Sequence, residues 1–215
     1  MSQPRTSLSH PLYLNWLNLT AAPRFAHFPG SLGMTILPGK RVGGISGRHE
    51  RDLELDAARL ATLGVNLFVL LVEDHELTRC GVPDFVEVMN RHGLAVLRCP
   101  MVDGHTPLTH SLAERPLSNL SGFNPAPAPG DLEAFVSTLA NLEIRLAAGQ
   151  IIAVSCRGGL GRTGLLAACL LINGGLSPQR AIDLTRAARP GAIETDRQVS
   201  FVLSWPGLDR PVVQS

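Results

Sequence analysis

Apolar positions along the chain switch repeatedly between unbroken short runs and a period near 3.6. Val65 to Val72, VNLFVLLV, is the longest such run and reads as a strand buried on both faces. Gly33 to Leu37, Leu94 to Cys99 and Ile151 to Val154 are shorter strands. They are ended by Pro38-Gly39, by Pro100 and by a glycine-rich loop. Helical spacing fills the intervals. Asp52 to Leu63 aligns Leu53, Ala57, Leu60 and Ala61, and Gly64 follows as a C-terminal stop. Asp84 to His92 is opened by Pro83 and closed by Gly93. Asp131 to Ala148 carries Leu132, Phe135, Leu139, Leu142 and Leu146 on one side. Gly164 to Ile172 is apolar all round and reads as a buried helix. Ser177-Pro178 supplies a cap and a first-turn proline for a helix through Ala188, and Glu194 to Trp205 forms the last one. This β-α-β-α order predicts an α/β fold, a three-layer sandwich with a mostly parallel central sheet.

Two stretches fall outside the pattern. Residues 1–30 carry Pro4, Pro11, Pro23 and Pro29 and read as an N-terminal arm, either packed on the domain or partly disordered. Residues 31–215 then form one domain. Within it, residues 107–130 are rich in Pro, Ser and Asn and include PAPAPG. That is too long for an ordinary connection, so the segment is either a tolerated surface insertion or a functional lid.

Composition narrows the class. The 215 residues are 45% hydrophobic, enough for a core without covalent staples. The net charge of +1 argues against a nucleic-acid or membrane-surface partner, and Lys40 is the sole lysine. Cys80, Cys99, Cys156 and Cys169 form neither a Cys-x-x-Cys pair nor a dense framework, so they read as free thiols in a reducing compartment. Residues 1–20 show no secretory signal, because Asn15 and Asn18 interrupt the Leu12–Leu19 run. No apolar run approaches the ~20 residues that span a bilayer. The expectation is a cytoplasmic monomer.

The chemistry concentrates in Ile151 to Gly164, IIAVSCRGGLGRTG. A strand feeds a loop that starts at Cys156, ends at Arg162-Thr163 and runs into the apolar helix. A free thiol with a pKa near ~8.5 is mostly protonated at neutral pH. A helix N-terminus favours its anion. Gly158, Gly159 and Gly161 let successive backbone N–H groups converge into a nest for phosphate oxygens. Arg162 grips two of those oxygens with paired donors and holds the charge that develops in transfer. Thr163 is placed to hydrogen-bond the sulfur. The competing structural account, a glycine-rich turn with a buried cysteine, leaves Arg162 at the mouth of a helix unexplained.

SCRGGLGRTG resembles the signature loop of the cysteine-dependent protein phosphatases, Cys-x-x-Gly-x-x-Arg-Ser/Thr, with Gly159 and Arg162 where that pattern requires them. LPGKR at 37–41, ELTRCGVPDF at 76–85, PMVDGHTP at 100–107 and GAIETDRQVSFV at 191–202 follow the same order. Together they look most like the kinase-associated phosphatase branch of the dual-specificity phosphatases, over roughly Leu32 to Trp205. A rhodanese-type sulfur carrier is the nearest other chemistry, with a shorter loop.

The resemblance implies that Cys156 is the nucleophile and forms a phosphocysteine intermediate. It implies that Arg157, Gly158, Gly159, Leu160, Gly161 and Arg162 bind phosphate. Asp103 becomes the general acid and Gln198 the residue that positions water. No metal or cofactor is implied. The partner is a phosphorylated protein carrying phosphotyrosine, phosphoserine or phosphothreonine, and a kinase is a candidate. A non-protein phosphomonoester and a weakly active phospho-binding module are the alternatives. Taken alone, Asp103 would be a turn residue and Gln198 an exposed helix residue.

Two departures stand out. Ser155 occupies the position where most of the family has histidine, which predicts a less acidic Cys156, or slower chemistry, unless Arg157 compensates. The separation of Asp103 from Cys156 also exceeds the family's usual spacing, and residues 107–130 supply the excess. His105 and His110 read as solvent-exposed, Cys169 as core, and Trp16 and Trp205 as packing residues.

Overall fold

The computed structural model describes residues 3–44, 47–108 and 130–208. His110 and most of the 107–130 segment lie outside these residues. In chain order, β1 (Asn15–Trp16) precedes two 3₁₀ turns, Leu19–Ala21 and Pro23–Phe25. β2 (Ser31–Thr35), a small hairpin of β3 (Gly43–Gly44) and β4 (Gly47–Arg48), α1 (Leu53–Thr62) and β5 (Leu67–Leu70) follow. Next come α2 (Asp74–Arg79), α3 (Phe85–Arg91), β6 (Ala95–Arg98) and α4 (Leu132–Ala147). β7 (Ile151–Ser155), α5 (Gly161–Asn173), α6 (Pro178–Ala188) and α7 (Asp196–Ser204) complete the chain.

The main sheet has the order β1-β2-β7-β5-β6, parallel throughout except for the antiparallel edge strand β1. β7 is inserted between β2 and β5, with Val154 opposite both Met34 and Val69. From β5 the chain moves outward to β6 and then returns to the far side of β5. Ligands bind at such a switch point, beyond the carboxyl ends of the strands. The loop that leaves β7 is there. Helices flank the sheet in two groups, α1 with α3, and α5 with α4, α6 and α7. Every residue of α5 is buried, as its all-round apolar character predicts.

The arm is part of this body. Leu12, Leu14, Leu17, Leu19, Ala22 and Phe25 are buried in the core. Gly33 in β2 has no side chain because Leu14 lies against it, within 2.7 Å of where a Cβ would stand. Trp205 packs edge-on against Phe135 and donates from Nε1 to Asn173 Oδ1 at 3.0 Å. Trp16, by contrast, is half exposed on the edge strand, so the packing reading fails for it.

The predicted strands and helices are present with small shifts at their ends. One shift matters: α5 starts at Gly161, three positions before the predicted start, because the Glu194 carboxylate accepts the Gly161 N–H at 2.8 Å. Arg162 and Thr163 therefore stand in the first turn of the helix. The sequence reading lacked α2, whose six residues are too short to show a period. A capping box between Glu73 and Glu76 holds it.

Candidate active site

β7 delivers Cys156 to the sheet edge and α5 carries the loop away from it. The loop is held tightly. Gly159 has a φ of 68°, and a Cβ there would fall 1.9 Å from the Thr35 carbonyl oxygen. Only glycine fits. Arg189, just after α6, clamps the loop from outside. Its Nη2 donates to the Gly158 carbonyl at 2.9 Å, its Nε to the Gly159 carbonyl, and its Nη1 to Asn15 Oδ1 on the edge strand. Ile193 has a φ of 61°, unusual for a β-branched residue, and packs against Gly164 of α5. Arg186 binds the Ala192 and Ile193 carbonyls and holds that turn.

Cys156 is buried and lines a cavity of about 520 Å³. Burial pushes its thiol up, but the thiol still lies below its ordinary value. The charge of Arg162, the Thr163 hydroxyl and the backbone N–H groups of Thr163 and Leu160 overcome the burial. The Thr163 hydroxyl also accepts the Cys156 N–H at 2.8 Å, which fixes it beside the sulfur. Ser155 contributes nothing comparable, since its buried Oγ has no hydrogen-bond partner. The charge that lowers the thiol comes from Arg162.

Arg162 is fully buried. Its Nη1 and Nη2 meet Glu76 Oε2 and Oε1 at 2.5 and 2.8 Å, and Nη1 also donates to the Met101 carbonyl at 2.8 Å. Its Nε has no protein partner. Burial pushes the Glu76 carboxyl up, and the hydrogen bonds and charge of Arg162 bring it below its ordinary value. The bidentate grip fixes the plane of the guanidinium. Glu76 belongs to a quoted motif, yet its role as the anchor of Arg162 was not anticipated. Neither was the Arg189 clamp. The only available signal for Glu76 was the capping box that places it in α2.

Asp103, on the loop beyond β6, reaches the same point. Its Oδ1 lies 3.0 Å from Arg162 Nη2 and its Oδ2 2.9 Å from Arg157 Nη2. The carboxylate is about half exposed at the cavity wall. His105, on the same loop, is exposed. The described ends of the 107–130 segment close on each other, with the Leu108 N–H donating to the Gly130 carbonyl at 2.7 Å. That segment therefore leaves and re-enters the fold beside the acid loop.

Gln198 is buried rather than exposed. Its Oε1 accepts the N–H groups of Glu194 and Thr195 at 3.0 and 3.3 Å, in a capping box that starts α7. Its amide stands against Gly161, where a Cβ would come within 3.0 Å of it. The predicted residues thus meet around the loop: Cys156, Arg162, Thr163 and Asp103 directly, Arg157 through Asp103, and Gln198 from behind Gly161.

A thiol of lowered pKa, an oriented guanidinium and a carboxylate around one loop suit transfer of a phosphoryl group to sulfur. The family model described as "PTP-SAK: Swiss Army Knife protein, DSP-PTPase phosphatase domain" matches residues 126–202. Together with the relatives below, the loop and the fold make this chain similar to the cysteine-dependent protein phosphatases of the dual-specificity type.

Cyclin-dependent kinase inhibitor 3 of Sus scrofa is 27% identical over 195 residues, covering 89% of this chain and 77% of that protein. The Homo sapiens protein is 28% identical with the same coverage. Among solved structures, kinase associated phosphatase with serine in place of its catalytic-site cysteine superposes with a TM-score of 0.70. Its identity is 24% and its coverage 94% of both chains. Tk-PTP in its active form superposes at 0.56, with 25% identity over 80% of this chain and 90% of that one.

Proposed function

We propose that the protein removes phosphate from phosphotyrosine, phosphoserine and phosphothreonine side chains through a phosphocysteine intermediate. The observation that carries this reading is the lowered Cys156 thiol within a loop that also presents Arg162 and faces Asp103. The loop N–H groups and Arg162 Nε take the phosphate oxygens. Cys156 Sγ attacks phosphorus in line and the ester oxygen leaves. Asp103 protonates that oxygen, then takes a proton from the water that attacks the phosphocysteine. Asp103 must release Arg162 and Arg157 to the incoming phosphate and turn toward the leaving oxygen. Thr163 hydrogen-bonds the sulfur as it leaves, and Gln198, to hold the attacking water, must turn its amide from the α7 cap toward the loop.

The relatives' name suggests a kinase among the phosphoprotein partners. No described helix is long and apolar enough to cross a membrane. We place the protein in the cytoplasm, where reducing conditions keep Cys156 a thiol.

Hydrolysis of p-nitrophenyl phosphate, abolished by Cys156→Ser and unaffected by chelator, tests the reaction. Asp103→Asn separates the steps. Turnover of an alkyl phosphoester, a poor leaving group, should fall at least about 100-fold while the affinity for vanadate does not fall, since the variant no longer competes for Arg162 and Arg157. Unimpaired turnover by that variant would remove Asp103 from the mechanism.

A further inference from the structure

The cavity that holds Cys156 extends past the residues the reaction needs, and its lining is rich in cations. Arg5, Lys40, Arg51, Arg157 and Arg189 line it, against the carboxylates of Asp103 and Glu194. Three of these cations are already engaged. Arg51 is locked to Asp56 by two bonds of 2.7 Å, Arg189 to the loop carbonyls, and Arg157 to Asp103.

Lys40 is different. The chain's sole lysine is only 2% exposed. Its carbonyl accepts the Arg51 N–H at 3.1 Å, which fixes its backbone. Among the described residues its ammonium makes no hydrogen bond or ion pair, and the Asp103 carboxylate and the Cys156 thiol act on it only through their charge. An ammonium buried that way costs free energy that a bound anion would return.

Arg5 faces the same space. The arm is tied there by a bridge between Arg5 and His49, with the Arg5 N–H donating to the Arg48 carbonyl at 2.9 Å. The local field is strongly positive. Burial and the neighbouring charges of Lys40 and Arg51 push the His49 ring down to about 4, so His49 is neutral at physiological pH.

We propose that Lys40 and Arg5 form a second anion subsite, which takes a second phosphate on the same substrate peptide while the first lies over Cys156. An ammonium and a guanidinium together match a phosphate dianion. Because the cavity is continuous from Cys156 to Lys40, the two phosphates belong to residues near each other in one peptide. The subsite makes the N-terminal arm part of substrate selection. This inference rests on the phosphatase reading, but its binding test does not need turnover.

Two measurements test it, both on the full chain. Calorimetric titration of the Cys156→Ser protein with inorganic phosphate should show two sites per chain. Adding Lys40→Met should leave one, and adding Arg5→Ala should weaken the second about tenfold or more. In the wild type, kcat/KM for a doubly phosphorylated peptide should exceed that for its singly phosphorylated counterpart by about tenfold. The ratio should fall toward one in Lys40→Met and in Arg5→Ala. A single phosphate site in the Cys156→Ser protein overturns the subsite. So does a peptide preference that survives both substitutions. A preference for a soluble inositol bisphosphate over the peptide overturns the peptide assignment. Should Lys40→Met fail to fold, Arg5→Ala decides, since Arg5 is exposed. Should the wild type hydrolyse no phosphomonoester, the proposed function fails while the phosphate count still judges the subsite.

Discussion

Cys156 and Cys169 are both free, both buried, and separated by little more than the loop and the first turns of α5. Their thiols behave oppositely. Burial pushes Cys169 well above its ordinary value with nothing opposing it. Cys156 bears the same penalty, yet Arg162, Thr163 and the loop N–H groups bring it below its ordinary value. Cys99 sides with Cys169, pushed up to about 11 by burial. Burial is thus common to the thiol held below its ordinary value and to those pushed above it. The position of a cation and of donors at a helix N-terminus separates them. Within one helix, the first turn is built for an anion and the interior for a hydrocarbon.

The strongest way to break this contrast is to disable Arg162. Arg162→Lys keeps a positive charge but loses the paired grip on Glu76 and the planar fork for phosphate. Turnover should fall about 100- to 1000-fold. The pH profile of iodoacetate inactivation should shift upward, toward the behaviour of Cys99 and Cys169. If the profile stays put while turnover collapses, Arg162 acts on the phosphate alone and the contrast must rest on Thr163 and the N–H groups.

The two sides of the site were unequally legible in the sequence. Cys156, Arg162 and Thr163 could be placed because their relations are local: a strand, a loop and a helix start in one stretch of chain. Asp103 was legible through the proline and glycine of its own loop. Glu76 and Arg189 were not, since each reaches the loop across the fold from a distant part of the chain. No periodicity encodes such a meeting. Lys40 was visible as the only lysine, but its burial beside the cavity followed from tertiary packing. The sheet order was foreseen only as largely parallel. The central place of β7, which sets the loop at the switch point, required the crossovers themselves.

A second, smaller effect concerns stability. The folded Glu76 carboxyl lies below its ordinary value, so it stabilises the fold at pH above the unfolded carboxylate range, near ~4.3. That contribution is lost as pH falls through the lower folded value. Glu76→Gln should cost about 3 kcal/mol in urea unfolding at pH 7, because Arg162 then lies buried without its counter-charge. The cost should shrink at acid pH, where the wild type loses the same pair. A constant difference across pH 3 to 7 would mean that lost packing, not lost charge, explains the variant.

The smallest expected effect tests Ser155, where the sequence departs from the phosphatase pattern. Its Oγ is buried without a hydrogen-bond partner, an arrangement that destabilises by about 1 kcal/mol or more. Ser155→Ala should therefore leave stability unchanged or raise it by up to about 1 kcal/mol. The inactivation profile of Cys156 should not move, because the donors that lower the thiol belong to Arg162, Thr163 and Leu160. A shift toward higher pH in Ser155→Ala would show that the hydroxyl turns to the thiolate when it forms. The line between the reactive thiol and the inert ones would then include the residue before the loop as well as those within it.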